Sequence, residues 1–530
     1  MQRLTWLTAS LCLMMTLPVT AGVFSPRVQR EGEPDAWSVR TLLSHPVWRD
    51  LNDAALARVL VDVLATHVAV TPFSPREGTE KLPAWAVVND PLKLWHAYGL
   101  ADRAAIADAF AALWQATGRG AVRVVELSGS PCVLVEIESG GQWGVIDPAS
   151  RAVFLKADGS FAAWDEIPST PALWEKLGEA VTFPHDDIAA TRTAWAMSKI
   201  TRRGHRAPAA HTASFLLRRG EKFTRFATPQ GERWQLTDAE LKDKKLAAFW
   251  NESPRGPKTR AGGPAEYAHG RFDYEPSLKS DDADVRDGAD LLHNVAVTAD
   301  GLTLTKAGEG SAIFRVASPF PIVGEAGKIE DGKDDKDASV IEIDAAGATL
   351  SYSRDFGATW ISIETKTWPA KVDLTQQVAG TYGYQLRIEL KGKPNEAIIR
   401  SLKITTWVQC SPLSFPALKP GENTFRISTG DERGLPTQAM VIDASTADEN
   451  GFLRPVIRPP KEYRPGDANQ RVIGPFTLRV GAPVGSQIAW MQLGGRFATK
   501  PDSLQPESVG WGAATGSPQG FQPLDIGRIS

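Results

Sequence analysis

Cys132 is the side chain in the early part of the chain that could most readily act as a catalytic group, because cysteine is a common protein nucleophile. A cysteine reacts as its thiolate, which forms at a helix N-terminus, beside a cation or in another electropositive and exposed setting. Cys132 stands instead between Pro131 and Val133 in a strand-like run. The sequence therefore predicts a thiol that does no chemistry of its own.

Three short runs around this cysteine follow one another in a recognisable order. They read Gly-Leu-Ala-Asp at residues 99–102, Pro-Cys-Val-Leu-Val-Glu at 131–136 and Trp-Gly-Val-Ile-Asp-Pro at 143–148. The set resembles the core of a transglutaminase-like, papain-type domain. In that family Gly-x-Cys-Asp opens a helix, Gly-His-x-x-x-Glu starts the next strand, and Trp-x-x-x-Asp-Pro follows one hairpin later.

The resemblance implies a catalytically degenerate domain. Ala101 stands where the family has its cysteine, Cys132 stands where it has its histidine, and of the three catalytic positions only Asp147 is retained. A methyl group cannot attack a carbonyl, and a thiol has no second nitrogen that an aspartate could orient. We therefore expect residues 95–148 to keep the fold of such an enzyme without its reaction.

The residues between the runs predict the elements that the family has in the same order. Ile106, Phe110, Leu113 and Trp114 share one face of a helix that ends at the Gly-Arg-Gly run of residues 118–120. Short strands are predicted at 121–127, 132–138 and 143–147, and the last two are joined by a Ser-Gly-Gly-Gln turn. The sequence thus predicts a helix followed by antiparallel strands.

The start of the chain predicts export. Residues 1–21 have Arg3 near the beginning, an apolar run at 4–17 and a small-residue cleavage site at 19–21, which is the layout of a secretory signal. No later run approaches the roughly 20 apolar residues of a membrane-spanning helix. The formal net charge of -3 gives no sign of a nucleic-acid partner. We expect a periplasmic or extracellular protein without a membrane span after cleavage.

The 530 residues exceed what one hydrophobic core usually covers, so several domains are expected. We predict an α+β fold: a transglutaminase-like domain at 22–185 that includes a helical pattern over 37–70, then a helical linker at 186–211. Short alternating runs beyond residue 212 predict mainly antiparallel β-sandwich, jelly-roll-like domains, one at 212–415 and a β-rich region at 416–530. The runs at 215–221, 270–276 and 401–407 resemble segments of large exported bacterial proteins in which β-sandwich modules follow a transglutaminase-like domain.

Residues 353–360 read Ser-Arg-Asp-Phe-Gly-Ala-Thr-Trp and match the Asp-box pattern of secreted β proteins. In this device a carboxylate bonds the backbone of a turn, a glycine supplies a left-handed conformation, and a tryptophan folds over the hairpin. A propeller would repeat the pattern in each blade, and the chain has a single copy. A structural role is therefore predicted for Ser353, Asp355, Gly357 and Trp360.

Candidate ligand-binding residues are of two kinds. Trp368 and Trp511 lie in irregular sequence, where an exposed indole could stack on a sugar ring. Arg218 and Arg219 belong to a basic stretch at 199–225 that could pair with acidic groups, although a solvated segment balanced by acidic neighbours is the favoured interpretation. Neither the acidic run at 328–337 nor His-Asp-Asp at 185–187 has a recognised ligand spacing, so no metal or other cofactor is predicted.

Two function classes follow from these observations. The first is an exported, non-catalytic binding or scaffold protein with an inactive transglutaminase-like domain, whose β-sandwich modules bind an extracellular or cell-surface glycan or protein. The alternative is a polysaccharide-active hydrolase or lyase with its site in a β-sandwich cleft or at a domain junction. Cys132 and Cys410 could pair in an oxidising compartment, but two unpaired, buried thiols are favoured.

Overall fold

In a computed structural model, the protein has an α+β structure with mostly antiparallel sheets, which confirms the predicted fold class at that level. The structure describes residues 23–77, 86–178, 180–184, 187–206, 211–226, 230, 267–279, 284–324, 338–354, 357, 359–414, 416 and 420–429, with strand segments at 456–458, 462–463, 472–473, 477–478, 512–515 and 522–525. The predicted signal at 1–21 lies outside these residues.

Side-chain caps fix where several of the helices begin. Asn52, Asp102 and Asp187 each precede a helix, and each accepts a hydrogen bond from a backbone N–H of the first turn. The helices of the described residues are α1 (Val39–Leu43), α2 (Pro46–Arg49), α3 (Asp53–His67), α4 (Pro91–Lys93, which continues as a π-helical segment at Leu94–Tyr98), α5 (Arg103–Ala116), α6 (Pro171–Glu175), α7 (Ile188–Met197), α8 (Asp284–Gly288) and α9 (Thr375–Val378).

The strands account for most of the remaining regular structure. In chain order they are β1 (Val23–Phe24), β2 (Arg27–Arg30), β3 (Ala69–Val70), β4 (Arg76–Glu77), β5 (Ala86–Val87), β6 (Leu100–Ala101), β7 (Val122–Leu127), β8 (Val133–Ser139), β9 (Gln142–Asp147), β10 (Ala152–Val153), β11 (Ile200–Arg203), β12 (Leu216–Leu217), β13 (Glu221–Arg225), β14 (Ala268–Tyr274), β15 (Ala289–His293), β16 (Val295–Thr298), β17 (Gly301–Leu304), β18 (Gly308–Ala317), β19 (Ser339–Ala346), β20 (Ala348–Ser353), β21 (Ile361–Ile363), β22 (Ala370–Asp373), β23 (Gly383–Gly392), β24 (Ile398–Cys410), β25 (Phe425–Ser428), β26 (Val456–Arg458), β27 (Glu462–Tyr463), β28 (Val472–Ile473), β29 (Thr477–Leu478), β30 (Gly512–Thr515) and β31 (Gln522–Asp525).

The N-terminal part is a five-stranded antiparallel sheet in the order β10-β9-β8-β7-β11. Side chains alternate between its faces. One face, with Val124 and Val135, belongs to the same hydrophobic cluster as Phe110 of α5. The other face packs in a separate cluster with Trp174 of α6 and Trp195 of α7. Helix α5 and the strands that follow it therefore form the predicted helix-then-strands unit.

Two larger sheets follow along the chain. The seven-stranded sheet runs β13-β14-β24-β17-β16, with β19 and β22 on the opposite edge of β24, and the five-stranded sheet runs β15-β18-β23-β20-β21. Their buried faces share one hydrophobic cluster. The hydroxyls of Tyr384 and Thr406 lie 3.1 Å apart and join the two sheets, and the rings of Tyr274 and Phe314 lie 6.0 Å apart. The two sheets thus face each other in an arrangement compatible with a β-sandwich.

The strands predicted at 121–127, 132–138 and 143–147 are confirmed to within one residue as β7, β8 and β9. On β23, Tyr384, Leu386, Ile388 and Leu390 are all buried, as the alternating pattern predicts. Gln385 departs from that pattern, because it is buried on the other face and donates a hydrogen bond from Nε2 to Asp290 Oδ2 over 2.7 Å.

Two predicted helical stretches are wrong in part. The pattern at 37–70 is divided into α1, α2 and α3, because Ser38 and Asn52 cap new helices and Pro46 begins one where its missing N–H costs nothing. The stretch at 186–211 contains α7 and then β11, which pairs with β7 in the N-terminal sheet. Residues 200–203 therefore belong to that sheet and not to a helical linker. No helix within the described ranges is long and apolar enough to cross a membrane.

Gly144 in β9 provides a test of packing between the sheet and the 152–167 segment. A Cβ at this position would lie 2.1 Å from Cβ of Phe161, so Gly144→Ala should lower the free energy of unfolding by about 1–3 kcal/mol. Gly178→Ala makes the same chemical change where no atom lies within 4 Å, and it should stay within about 0.5 kcal/mol of the parent. Urea unfolding followed by tryptophan fluorescence measures both, and equal effects would contradict the packing described here.

Candidate functional site

The start of α5 is the first element of the candidate site. Ala101 ends β6, which pairs in parallel with β3, and its side chain is fully buried. Asp102 caps the helix by accepting a hydrogen bond from the Ala105 N–H over 2.8 Å, while its own N–H donates to Ser74 Oγ over 3.0 Å. Ala101, the residue before the helix cap, thus presents a buried methyl group.

A buried carboxylate lies against the first turn of this helix. Asp147 ends β9 with no exposed surface, and its Oδ1 accepts a hydrogen bond from the Ser150 N–H over 2.8 Å. Its Oδ2 lies 3.7 Å from Arg103 Nη1 and has no hydrogen-bond partner among the described residues. The same Nη1 donates to Ser150 Oγ over 2.9 Å. Arg103 and Ser150 therefore hold Asp147 between helix and sheet.

Arg103 was not singled out by the sequence reasoning, although a signal for it exists. A cation in the first turn of a helix is unfavourable, because the positive end of the helix dipole lies there. Arg103 is the first residue of α5, and that turn contains no acidic residue. Such a placement indicates an acidic partner elsewhere in the fold, and Asp147 is that partner.

The thiol of Cys132 is held in its protonated form. Cys132 is fully buried and belongs to the cluster that contains Trp174 and Trp195, on the sheet face opposite α5. Burial raises the pKa of the Cys132 thiol, and the negative charge of Asp147 raises it further, while Arg103 acts in the opposite direction. A buried, protonated thiol is a poor nucleophile. The charges of Arg103 and Asp147 thus act on the Cys132 thiol without making a reactive group. Ala101 belongs to the cluster on the α5 side of the sheet and Cys132 to the cluster on the other side, so the structure does not bring these two predicted positions together in one cluster.

The glutamate that ends the second sequence run is also fully engaged. Glu136 is buried, and its carboxylate accepts hydrogen bonds from Arg202 Nε over 2.8 Å, from Arg202 Nη2 over 2.9 Å and from Arg123 Nε. Burial opposes ionisation, but these two arginines outweigh it and lower the pKa of Glu136. The guanidinium of Arg123 also stacks on Trp143, 3.8 Å from the ring centre. This cluster ties β11 to β7 and β8.

The candidate ligand-binding residues lie apart from this centre. Arg218 is buried and makes two hydrogen bonds to the Glu221 carboxylate, over 2.7 and 3.0 Å, with its guanidinium 3.7 Å from the Tyr274 ring centre. Arg219 is half-buried, and its Nε donates to Asp284 Oδ1 over 3.2 Å. Trp368 is half-buried and packs against the main hydrophobic cluster. Trp511 lies outside the described residues.

The Asp-box residues lie where β20 turns towards β21. Ser353 is buried, and its Oγ accepts a hydrogen bond from the Gly357 N–H over 2.8 Å. Gly357 has a φ of 90°, a conformation that favours glycine. Trp360 stacks under the Arg387 guanidinium, 4.5 Å from the ring centre. Asp355 lies outside the described residues.

A groove of about 540 Å³ lies at the seven-stranded sheet, in a place that the sequence reasoning missed. Two ion pairs hold side chains there: Lys403 with Glu342 at 3.4 Å and Arg400 with Asp344 at 3.6 Å. The register of β19 and β24 shifts beside Asp344, so that Arg400 is an extra, bulged residue. The groove is lined by Glu275, Pro276, Leu278, Glu342, Ile343, Pro369, Ala370, Lys371, Arg400, Ser401, Leu402 and Lys403.

A smaller cavity of about 80 Å³ contains two histidines between the N-terminal segment and the π-helical turn. The His67 ring stacks on Trp95 at 3.7 Å, and burial lowers the pKa of His67 to about 4. His96 Nε2 donates a hydrogen bond to the Ala36 carbonyl oxygen over 2.6 Å, and burial lowers the pKa of His96 to about 3. Both imidazoles are therefore neutral at pH 7 and belong to the packed interior.

The described residues contain no cluster of three or more histidine, cysteine or carboxylate side chains that could hold a metal ion. Cys132 and Cys410 are both unpaired and buried, which confirms the favoured prediction for the two thiols. Comparison with known proteins finds no matching protein-family model, no similar curated protein and no similar solved structure.

Removal of the Asp147 carboxylate should destabilise the protein strongly. Asp147→Ala leaves the partly buried Arg103 guanidinium without its counter-charge and the buried Ser150 N–H without its acceptor, which should cost about 3–5 kcal/mol. Asp62→Ala breaks an ion pair with Arg151 in which the carboxylate is exposed, and it should cost at most about 1 kcal/mol. Chemical denaturation of both variants gives the comparison. A decrease in the free energy of unfolding for Asp147→Ala no larger than that for Asp62→Ala would argue against the role of Asp147 in holding α5 against the sheet.

Acidification should destabilise the fold through its buried histidines. The pKa of His96 is about 3 in the folded state and about 6.5 in an unfolded chain, so between these values only the unfolded chain takes up the proton. The contribution of neutral His96 to the free energy of unfolding is complete above pH about 6.5 and is lost as the pH falls towards 3. His96→Gln should reduce the drop in the free energy of unfolding between neutral pH and pH about 5 by on the order of 2 kcal/mol. Urea titrations at the two pH values measure this drop, and an equal drop in the parent and in His96→Gln would contradict the prediction.

Proposed function

We propose that the protein is an exported, non-catalytic binding or scaffold protein with an inactive transglutaminase-like domain followed by β-sandwich modules. The order of α5, β7, β8 and β9 supports the domain assignment, because it follows the helix-then-strands order that the sequence runs suggest. The signal-like segment at residues 1–21 supports export. The two facing sheets after residue 212 support the β-sandwich modules.

The observation that carries the proposal is the contact between Arg103 and Asp147. In a papain-type site the aspartate orients an imidazole, which activates a thiol at the helix start. Here Asp147 lies 3.7 Å from the guanidinium of Arg103, the helix is preceded by the methyl of Ala101, and the thiol of Cys132 is protonated among tryptophans. Each group of the proposed relic thus takes part in packing or charge compensation instead of catalysis.

The binding role is assigned to the groove of the seven-stranded sheet. Its volume of about 540 Å³ falls in the range of roughly 300–1,000 Å³ that ligand sites occupy in proteins. Charged side chains from three strands line it, including Glu342 of β19, Lys371 of β22 and Lys403 of β24. The proposed partner is an extracellular or cell-surface glycan or protein that presents polar groups to these charges.

A second candidate is a polysaccharide-active hydrolase or lyase that uses the same groove. The observation that favours it is the presence of two carboxylates, Glu275 and Glu342, in one lining. Glycoside cleavage commonly uses a pair of carboxylates that flank the scissile bond. Glu342 is already paired with Lys403, so the binding role remains the first proposal.

Activity and binding assays on the same purified protein separate the two candidates. We expect no amide hydrolysis, no amine transfer to glutamine peptides and no product from a panel of polysaccharides, but retention of a partner on glycan or protein arrays. Both thiols should resist labelling by iodoacetamide until the chain is unfolded, because they are buried and protonated.

Cys132→Ala is the control for residual thiol chemistry, and Glu275→Gln is the control for carboxylate chemistry. Amide turnover that disappears in Cys132→Ala would overturn the non-catalytic proposal. Release of sugar that disappears in Glu275→Gln would favour the hydrolase or lyase over the non-catalytic proposal. Binding without product in the parent protein supports the non-catalytic proposal.

A further inference from the structure

We infer that the cavity of about 80 Å³ between the N-terminal segment and the π-helical turn binds a neutral, hydroxyl-bearing group, either one edge of a sugar ring or a free polyol. This second site is separate from the groove of the seven-stranded sheet and does not depend on the binding role proposed for that groove. Three features of the lining carry the inference: two histidine nitrogens left as hydrogen-bond acceptors, aromatic walls, and charges that are already compensated.

His96 presents a buried acceptor without a donor. Its Nε2 donates to the Ala36 carbonyl oxygen over 2.6 Å, so in the neutral imidazole the lone pair is on Nδ1. This Nδ1 is buried and has no hydrogen-bond partner in the part of the chain that the structure describes. His96 is 2% exposed and lines the cavity. A buried acceptor is costly when it is left unsatisfied, so an occupant that donates a hydrogen bond is expected.

His67 adds a second acceptor to the same lining. Its Nδ1 donates to the Val63 carbonyl oxygen over 2.8 Å in the last turn of α3, which leaves the lone pair on Nε2. Both imidazoles are neutral at pH 7, because burial lowers the pKa of His67 to about 4 and that of His96 to about 3. Both histidines line the cavity. The cavity therefore provides two acceptors for the hydrogen atoms of an occupant.

Aromatic rings form walls beside these acceptors. Trp95 stacks on His67 at 3.7 Å, and Trp37 meets His96 edge-on at 5.8 Å. Both indoles line the cavity. Trp95 and His96 belong to the π-helical segment, and this rare conformation is frequent at functional sites. Indole surfaces suit the C–H groups of an organic ligand better than they suit water.

The charges of the lining disfavour an ionic occupant. Arg27 Nη1 donates to Asp35 Oδ2 over 3.1 Å, and Arg30 pairs with Glu33. All four side chains line the cavity. An ionised carboxylate has no proton to donate to the histidine nitrogens. An ammonium group has donors, but it would lie beside two guanidinium groups whose counter-charges are already engaged. A neutral hydroxyl group avoids both costs.

The size and the opening of the cavity fit one end of a molecule. Its volume exceeds the roughly 10–15 Å³ that one water needs and is below the roughly 300 Å³ of a complete ligand site. Val28 lines the cavity and is 49% exposed, so the cavity reaches the surface at β2. Val28 is matched with Ile427 of β25, which is 36% exposed. The remainder of a larger ligand would therefore meet an apolar surface.

Ligand-observed NMR on the full chain tests the inference. Saturation transfer and titration are measured for four probes: glycerol, methyl α-glucopyranoside, acetate and methylammonium. We expect saturable binding of glycerol and of the glucoside, and no binding of the two ions in the cavity. A lower Kd for the glucoside than for glycerol would assign the site to the end of a glycan. A lower Kd for glycerol would assign it to a free polyol.

Two variants with matched controls locate the binding. Val28→Trp closes the opening from an exposed position and should weaken the hydroxyl probes by about tenfold or more, whereas Val47→Trp, 65% exposed on α2, should leave them unchanged. His96→Gln keeps an amide donor for the Ala36 carbonyl and removes the Nδ1 acceptor, so it should weaken them by about three- to tenfold. His293→Gln makes the same change on β15, outside the cavity lining, and should have no effect.

The results that would overturn the inference are distinct from those that bear on the groove. Unchanged affinity in Val28→Trp or in His96→Gln would overturn it, and so would binding of acetate or methylammonium that Val28→Trp abolishes. No binding of either hydroxyl probe would show that water alone fills the cavity, and the inference would fail. Binding that is lost in Lys403→Gln but kept in Val28→Trp would place the probes in the groove, which supports the proposed function and overturns this inference.

Discussion

The buried carboxylate of Asp147 is the constraint on which the N-terminal part of the structure depends. A charge without solvent contact is costly unless a partner and hydrogen bonds compensate it. Arg103 and the Ser150 N–H provide that compensation, and they belong to α5 and to the segment after β9. The position of the helix start over the sheet is thereby fixed by an electrostatic requirement as well as by hydrophobic packing.

A similar arrangement holds the opposite edge of the same sheet. Glu136 on β8 is paired with Arg123 of β7 and Arg202 of β11, so one buried carboxylate connects three adjacent strands. Arg203 of β11 adds a bond to Asp108 of α5 over 2.8 Å. These contacts explain how a short and polar strand such as β11 is kept in the sheet, where apolar side chains alone would hold it weakly.

Sequence periodicity predicted the elements whose side chains alternate cleanly between core and solvent. The face of α5 and the strands β7, β8, β9 and β23 are of this kind, because burial on one side imposes the spacing. Strand β11 was missed because Arg202 and Arg203 are held by ion pairs and not by a hydrophobic face. The groove was missed for another reason: it arises from the register of four strands and a bulge, and no local pattern records strand register.

The proposed relic site around Ala101, Cys132 and Asp147 is closed and packed, whereas the groove of the seven-stranded sheet is open. This difference follows from what catalysis and binding each require. A reactive thiol requires exposure and a positive environment, and both are costly to a packed core, so functional sites often reduce stability. In the proposed relic site no reactive thiol is needed, so the Cys132 thiol can be enclosed by Trp174 and Trp195. A binding groove requires no reactive group, because it acts through the shape and the polar groups of its lining. The proposed loss of catalysis is therefore compatible with the binding role that we propose for the groove.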